Sequence, residues 1–165
     1  MPRSGGDVII RAKNSKCFSA EIALGYQVEQ VMPLLCPVKE RDWVPGWEPL
    51  MLWSDCGAIE TGCTYTTVDP LGVAIWQVLH YRLELGQIEL MKVVADQMLT
   101  HIQLDVVSAP KGCKLKLNYR FTAVGDRGIN YLRRFDDLKW QQFVERWQQG
   151  IERYLNSHCE NASAI

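Results

Sequence analysis

The segment from Asp126 to Ser157 constrains this chain more than any other. At about 100° per residue, Ile129, Leu132, Trp140, Phe143, Val144, Trp147, Ile151, Tyr154 and Leu155 fall in one broad stripe. Arg134, Lys139, Gln141, Gln142, Glu145, Arg146, Gln149, Glu152 and Arg153 take the opposite side. An amphipathic helix of roughly 45 Å, with an aromatic inner face, needs an extended apolar surface to lie on. Asp136 breaks the pattern, because it falls on the apolar stripe while Phe135 and Leu138 fall off it. Either the helix breaks near Phe135–Asp137, with Asp136 or Asp137 capping a second piece, or Asp136 faces a polar pocket. Gly150 weakens the helix interior unless a neighbouring side chain needs the room.

The surface for that helix lies upstream. Phe18, Ala20, Ile22 and Leu24 alternate with more polar neighbours from Cys17 onward, the pattern of a half-buried strand, and Gly25 ends it. Val28, Val31, Met32 and Leu35 then follow helical spacing, cut short by Pro33 and Pro37, and a second short helix is expected over Val38 to Trp43. Strands are expected over Glu48–Ser54, Gly62–Val68, Val73–Leu85, Gln87–Ala95, Leu99–Val107 and Gly112–Val124. Short turns join most of them, so successive strands pair antiparallel. In the last strand Cys113, Leu115, Leu117, Tyr119, Phe121 and Ala123 share one face. A sheet wetted on one side must cover the other, and the final helix is the cover. The expected class is therefore α+β: a curved antiparallel sheet of about seven strands, two short helices after the first, and a long C-terminal helix.

Length and charge set further bounds. A chain of 165 residues makes one domain over 1–165, with a loose arm over Met1–Asn14 and a frayed tail over 158–165. A net charge of −1 offers no electrostatic case for nucleic acid or an anionic membrane. No apolar run approaches the ~20 residues of a membrane span, and none near the N-terminus resembles a signal peptide, so a cytoplasmic protein is expected. The six cysteines then read as reduced thiols. No Cys-x-x-Cys pair occurs, and His80 and His101 lie far in sequence from Cys56 and Cys63, so neither a metal nor another cofactor is called for.

Pro37-Val38-Lys39-Glu40-Arg41-Asp42-Trp43-Val44-Pro45-Gly46-Trp47 is similar to a P-x-x-E-x-x-W-x-P-G-W stretch of bacterial proteins in the START-like superfamily, also called SRPBCC or polyketide-cyclase-like. Ser54-Asp55-Cys56-Gly57 and Gly62-Cys63 resemble the same subgroup, whose function is unassigned, and the order of elements matches from about Cys17 to Leu155. The resemblance implies the helix-grip fold, with a deep hydrophobic pocket between sheet and last helix. Members bind lipids, sterols, plant hormones or polyketides; a minority catalyse cyclisation, aromatisation or hydrolysis, and others act as chaperone cofactors. Larger relatives hold iron through histidines and an aspartate, a set for which this chain has no matching pair of histidines.

The expected partner is thus a small apolar or amphipathic ligand. Trp43 and Trp47 flank Pro45-Gly46 and either sit at the cavity mouth or merely pin the loop to the sheet. Trp76, Tyr119, Phe121, Trp140, Phe143 and Trp147 serve as core, as pocket wall, or as both. A cyclase- or aromatase-type enzyme is the alternative, with His80, His101 or Tyr119 as acid or base. If both histidines point inward they form a proton-transferring pair; otherwise at least one faces solvent or only makes structural hydrogen bonds. Cys36 and Cys63 read as small buried hydrophobes before they read as nucleophiles. A further alternative is an interaction module whose cavity is filled.

Overall fold

The computed structural model describes residues 14–162, and the side chains of residues 14–158. The arm expected over Met1–Asn14 lies outside the described residues except for Asn14. In chain order the elements are β1 (Ser15–Leu24), α1 (Val28–Val31), a 3₁₀ turn (Met32–Leu35), α2 (Pro37–Glu40), β2 (Leu50–Trp53) and β3 (Thr64–Asp69). They continue as β4 (Gly72–Arg82), β5 (Gln87–Val94), β6 (Met98–Ala109), β7 (Gly112–Ala123), α3 (Asp126–Arg134) and α4 (Asp137–Ala162). The seven strands form one antiparallel sheet in the order β1-β7-β6-β5-β4-β3-β2. The first strand therefore sits beside the last, and every hairpin neighbour in sequence is also a neighbour in space.

The C-terminal segment is two helices rather than one, and the break falls at Phe135–Asp136. The Asp136 carboxylate accepts the Lys139 backbone N–H at 3.0 Å, which makes it the N-cap of α4. Its place on the apolar stripe is thus explained by a helix start, with no polar pocket. The helix α4 runs to Ala162, and residues 163–165 of the tail expected over 158–165 lie outside the described residues. Gly150 is buried and lies against Trp43: a Cβ there would meet the Trp43 carbonyl oxygen at 2.8 Å and its ring at 3.0 Å. The room that Gly150 leaves is what lets α4 close on the loop after α2.

Alternation along the strands sets two faces, and the inner one meets α4. Ile22, Ile88, Ile102, Leu115, Leu117 and Ile151 are almost fully buried, and each such side chain contributes ~1.5–3 kcal/mol by leaving water. A bulge between Val78 and His80 interrupts the β4–β5 register. Ala74, Trp76 and Val78 face inward, and strict alternation would have sent His80 in as well. The extra residue, Leu79, reverses the parity, so Tyr81 packs on the core while His80 is exposed. No helix of the described residues is long and apolar enough to cross a membrane.

Candidate functional site

Sheet, α4 and the short helices enclose a cavity of about 280 Å³. Its floor follows directly from the register. Tyr65, Trp76, Lys92, Thr100 and Phe121 are successive cross-strand partners from β3 to β7, and each lines the space. Leu90, Ile102 and Tyr119 form the next inner row. From above, α4 lowers Trp140, Phe143 and Trp147, one helical turn apart, onto this floor. Leu35, Glu40, Val44 and Trp47 close one side, and Tyr131 and Phe135 another.

The rings are locked together. Tyr65 stacks on Trp76 at 5.6 Å, and Trp47 meets both edge-on at 6.3 and 5.6 Å. Tyr119 touches Trp140 and Phe143 at 5.1 and 5.6 Å. Four indole N–H groups are held by the protein itself: Trp43 donates to the Leu34 carbonyl at 2.8 Å, Trp47 to that of Pro37 at 2.8 Å, Trp76 to the Thr67 hydroxyl at 2.9 Å, and Trp140 to the Ser19 carbonyl at 3.1 Å. Trp47, Trp76 and Trp140 therefore show the cavity carbon surfaces and no donors.

Most of the aromatic residues singled out from sequence meet at this cavity: Trp47, Trp76, Tyr119, Phe121, Trp140, Phe143 and Trp147 all line it. Trp43 does not. It is 3% exposed, edge-on to Trp147 at 5.3 Å, and pins its own loop. Of the two alternatives left open for His80 and His101, the structure shows the one without an inward pair. Both project from the outer face of the sheet toward Glu89, whose carboxylate lies 2.5 Å from His101 Nε2 and 3.8 Å from His80 Nε2. Neither touches the cavity, so of the acid–base candidates only Tyr119 stands in it. Cys36 and Cys63 are buried, and burial raises the Cys63 thiol pKa, which is the opposite of nucleophile activation.

Two charged residues of the lining carried no prediction from sequence. Lys92 takes an inward position in β5, in step with Ile88, Leu90 and Val94. It is ion-paired with Asp69 and lies 5.0 Å from the centre of the Trp76 ring. Its inward parity was readable; its partner, one turn before β4, was not. Glu40 is the other. It ends the single turn of α2, is 8% exposed, and its carboxyl makes no hydrogen bond or ion pair among the described residues; what exposure it keeps is toward the cavity it lines. Removal from water pushes its pKa up to about 8. Burial, with the nearby Glu40 charge adding to it, raises the Tyr65 and Tyr119 hydroxyls as well, so both phenols stay protonated through the neutral range. The sequence signal for Glu40 was its place in the Pro37–Trp47 motif, a helical turn before Val44 and among residues that pack inward.

No protein-family model matches the chain, and no curated protein matches it by sequence. Solved structures do match by fold. Norcoclaurine synthase from Thalictrum flavum, in complex with dopamine and hydroxybenzaldehyde, superposes with a TM-score of 0.63 at 12% identity, covering 95% of this chain and 98% of its own. Ara h 8.0201 gives 0.57 at 14% identity over 87% and 97%. Protein MLL2253 from Mesorhizobium loti gives 0.60 at 13% over 86% and 98%. These are structures of the START-like superfamily, and the fold of this chain is their Bet v 1-like helix grip.

Proposed function

We propose that this helix-grip protein binds a small apolar or amphipathic molecule between its sheet and α4. The observation that carries the reading is the aromatic cavity of about 280 Å³, left open by the side chains that wall it. Small-molecule sites typically run from ~300 to 1,000 Å³, so this one is small. It suits one or two fused rings or a short acyl chain better than a sterol skeleton. The dopamine and hydroxybenzaldehyde in the norcoclaurine synthase complex are ligands of that size held in the same fold. Because the rings leave the space open, the interaction module with a filled cavity has no observation in its favour.

A thermal-shift screen tests the reading. Single-ring aromatics, flavonoids and short fatty acids should raise the melting temperature, by the equivalent of about 2.7 kcal/mol at a hundredfold excess over Kd. Nucleotides and sugar phosphates should not. Silence across the apolar panel, or a hit confined to phosphorylated compounds, overturns it. One observation favours a second reading: Glu40 shares the cavity with the Tyr65 and Tyr119 hydroxyls, a set able to give and take a proton. An acid–base enzyme of the cyclase type would turn over a bound ligand, and product analysis of each hit separates it from a binder.

A further inference from the structure

Glu40 gives the cavity a chemical preference that its size alone does not. Glu40 is the last residue of the one-turn helix α2 and is buried there together with Pro37. The residue is buried, lines the cavity, and makes no hydrogen bond or ion pair among the described residues. A buried polar group without a partner is costly unless something supplies one. Around it the walls are π-faces: Tyr65 and Trp76 stacked, Trp47 edge-on, and Tyr119 on the neighbouring row. The negative face of an aromatic ring attracts a cation and repels an anion. A ligand anion would look for donors, and the cation of the lining, Lys92, is already paired with Asp69.

We infer that the cavity selects an organic monocation, a substituted amine carried on an apolar ring, with Glu40 as its counter-ion and Trp47, Tyr65, Trp76 and Tyr119 as its cage. This rests on the cavity being a ligand site and adds the class of ligand. On binding, the Glu40 carboxyl gives its proton to solvent when the ligand's charge is permanent, or to the amine when the ligand arrives as the free base. The carboxylate and the cation then neutralise each other out of water. The other titratable groups that face this space are the hydroxyls of Tyr65, Tyr119 and Tyr131 and the Lys92–Asp69 pair; α4 presents only Trp140, Phe143 and Trp147. On Glu40's own turn, Lys39 pairs with Asp42 on the exposed side at 3.5 Å.

The test uses two probes of one shape on the full chain: phenyltrimethylammonium and its uncharged isostere tert-butylbenzene, followed by tryptophan fluorescence and by amide chemical shifts. The ammonium should bind at least about tenfold more tightly than the isostere at pH 8. Its affinity should climb as pH rises toward 8, approaching about tenfold per unit, and flatten above, because only the ionised carboxyl serves a fixed cation. Glu40→Gln should keep the isostere's affinity within about twofold, lose about tenfold or more for the ammonium, and lose the pH slope. Equal affinity of the two probes, or a flat pH profile for the ammonium in the native chain, overturns the inference and leaves the cavity reading standing. Silence of both probes removes the two together. Should Glu40→Gln fail to fold, the pH profile of the native chain decides alone.

Discussion

Two glutamates separate the inside of this molecule from its outside. Glu89 sits on the outer face of the sheet between His101 and His80, a constellation that resembles acid–base machinery. Glu40 sits inside, with no hydrogen bond or ion pair among the described residues. Burial pushes the Glu40 pKa up to about 8. On the outer face Glu89 has two imidazole neighbours, and its side chain keeps 28% of its surface in water. Inside, burial strips water from the carboxyl, which becomes a far weaker acid. Enclosure alone, with no charged neighbour, raises the Glu40 pKa.

The largest effect that can break this contrast is a pH-dependent one. Between pH 4.5, where the unfolded Glu40 releases its proton, and about 8, where the folded one does, the folded chain holds a proton that the unfolded chain has lost. Stability therefore falls as pH rises, by about 1.4 kcal/mol per unit across that window. Glu40→Gln removes the penalty. Denaturant unfolding should find the variant within about 1 kcal/mol of the native chain at pH 5 and more stable by several kcal/mol at pH 9. A constant difference across pH would place Glu40 in contact with water.

Next comes the cavity roof. Phe143→Ala should cost about 2–3 kcal/mol, less than for a fully buried ring because Phe143 is half-buried, and should weaken an apolar ligand without unfolding the chain. An unchanged melting curve would mean that the ring does not contact the sheet. Gly150→Ala is a sharper test of enclosure. Helix propensity alone predicts a gain of up to about 1 kcal/mol. The Trp43 carbonyl, 2.8 Å from where the methyl would sit, should turn that into a loss of about 1–3 kcal/mol, read by thermal melting. A stabilised variant would show that the α4–loop contact yields freely. The smallest effects belong to the outer face. Glu89→Gln and His101→Gln should each change stability by under about 1 kcal/mol and leave the affinity of any cavity ligand unaltered. A loss of binding on either change would show that the outer cluster reports to the cavity.

Local sequence determined a good deal. Alternation placed β1 and β7, helical spacing drew the aromatic stripe of α4, and the misfit of Asp136 marked the break that its own carboxylate caps. These are legible because the physics is local: side-chain direction repeats with the backbone, and a cap bonds three residues on. The inward placement of Tyr119, Phe121, Trp140, Phe143 and Trp147 came with that periodicity, since floor and roof are the inner faces of their elements. Three things only the tertiary structure decided. One inserted residue at Leu79 turned His80 outward, and Val73 and Ile75, apolar yet exposed, had hidden the strand's parity. Trp43 and Trp47, close in sequence, were parted into core and cavity wall by which carbonyl each indole reaches. And Glu40 became the singular group of the site because distant segments, β3, β7 and α4, close over it. Desolvation is the sum of everything that surrounds a group, and no window of sequence contains that sum.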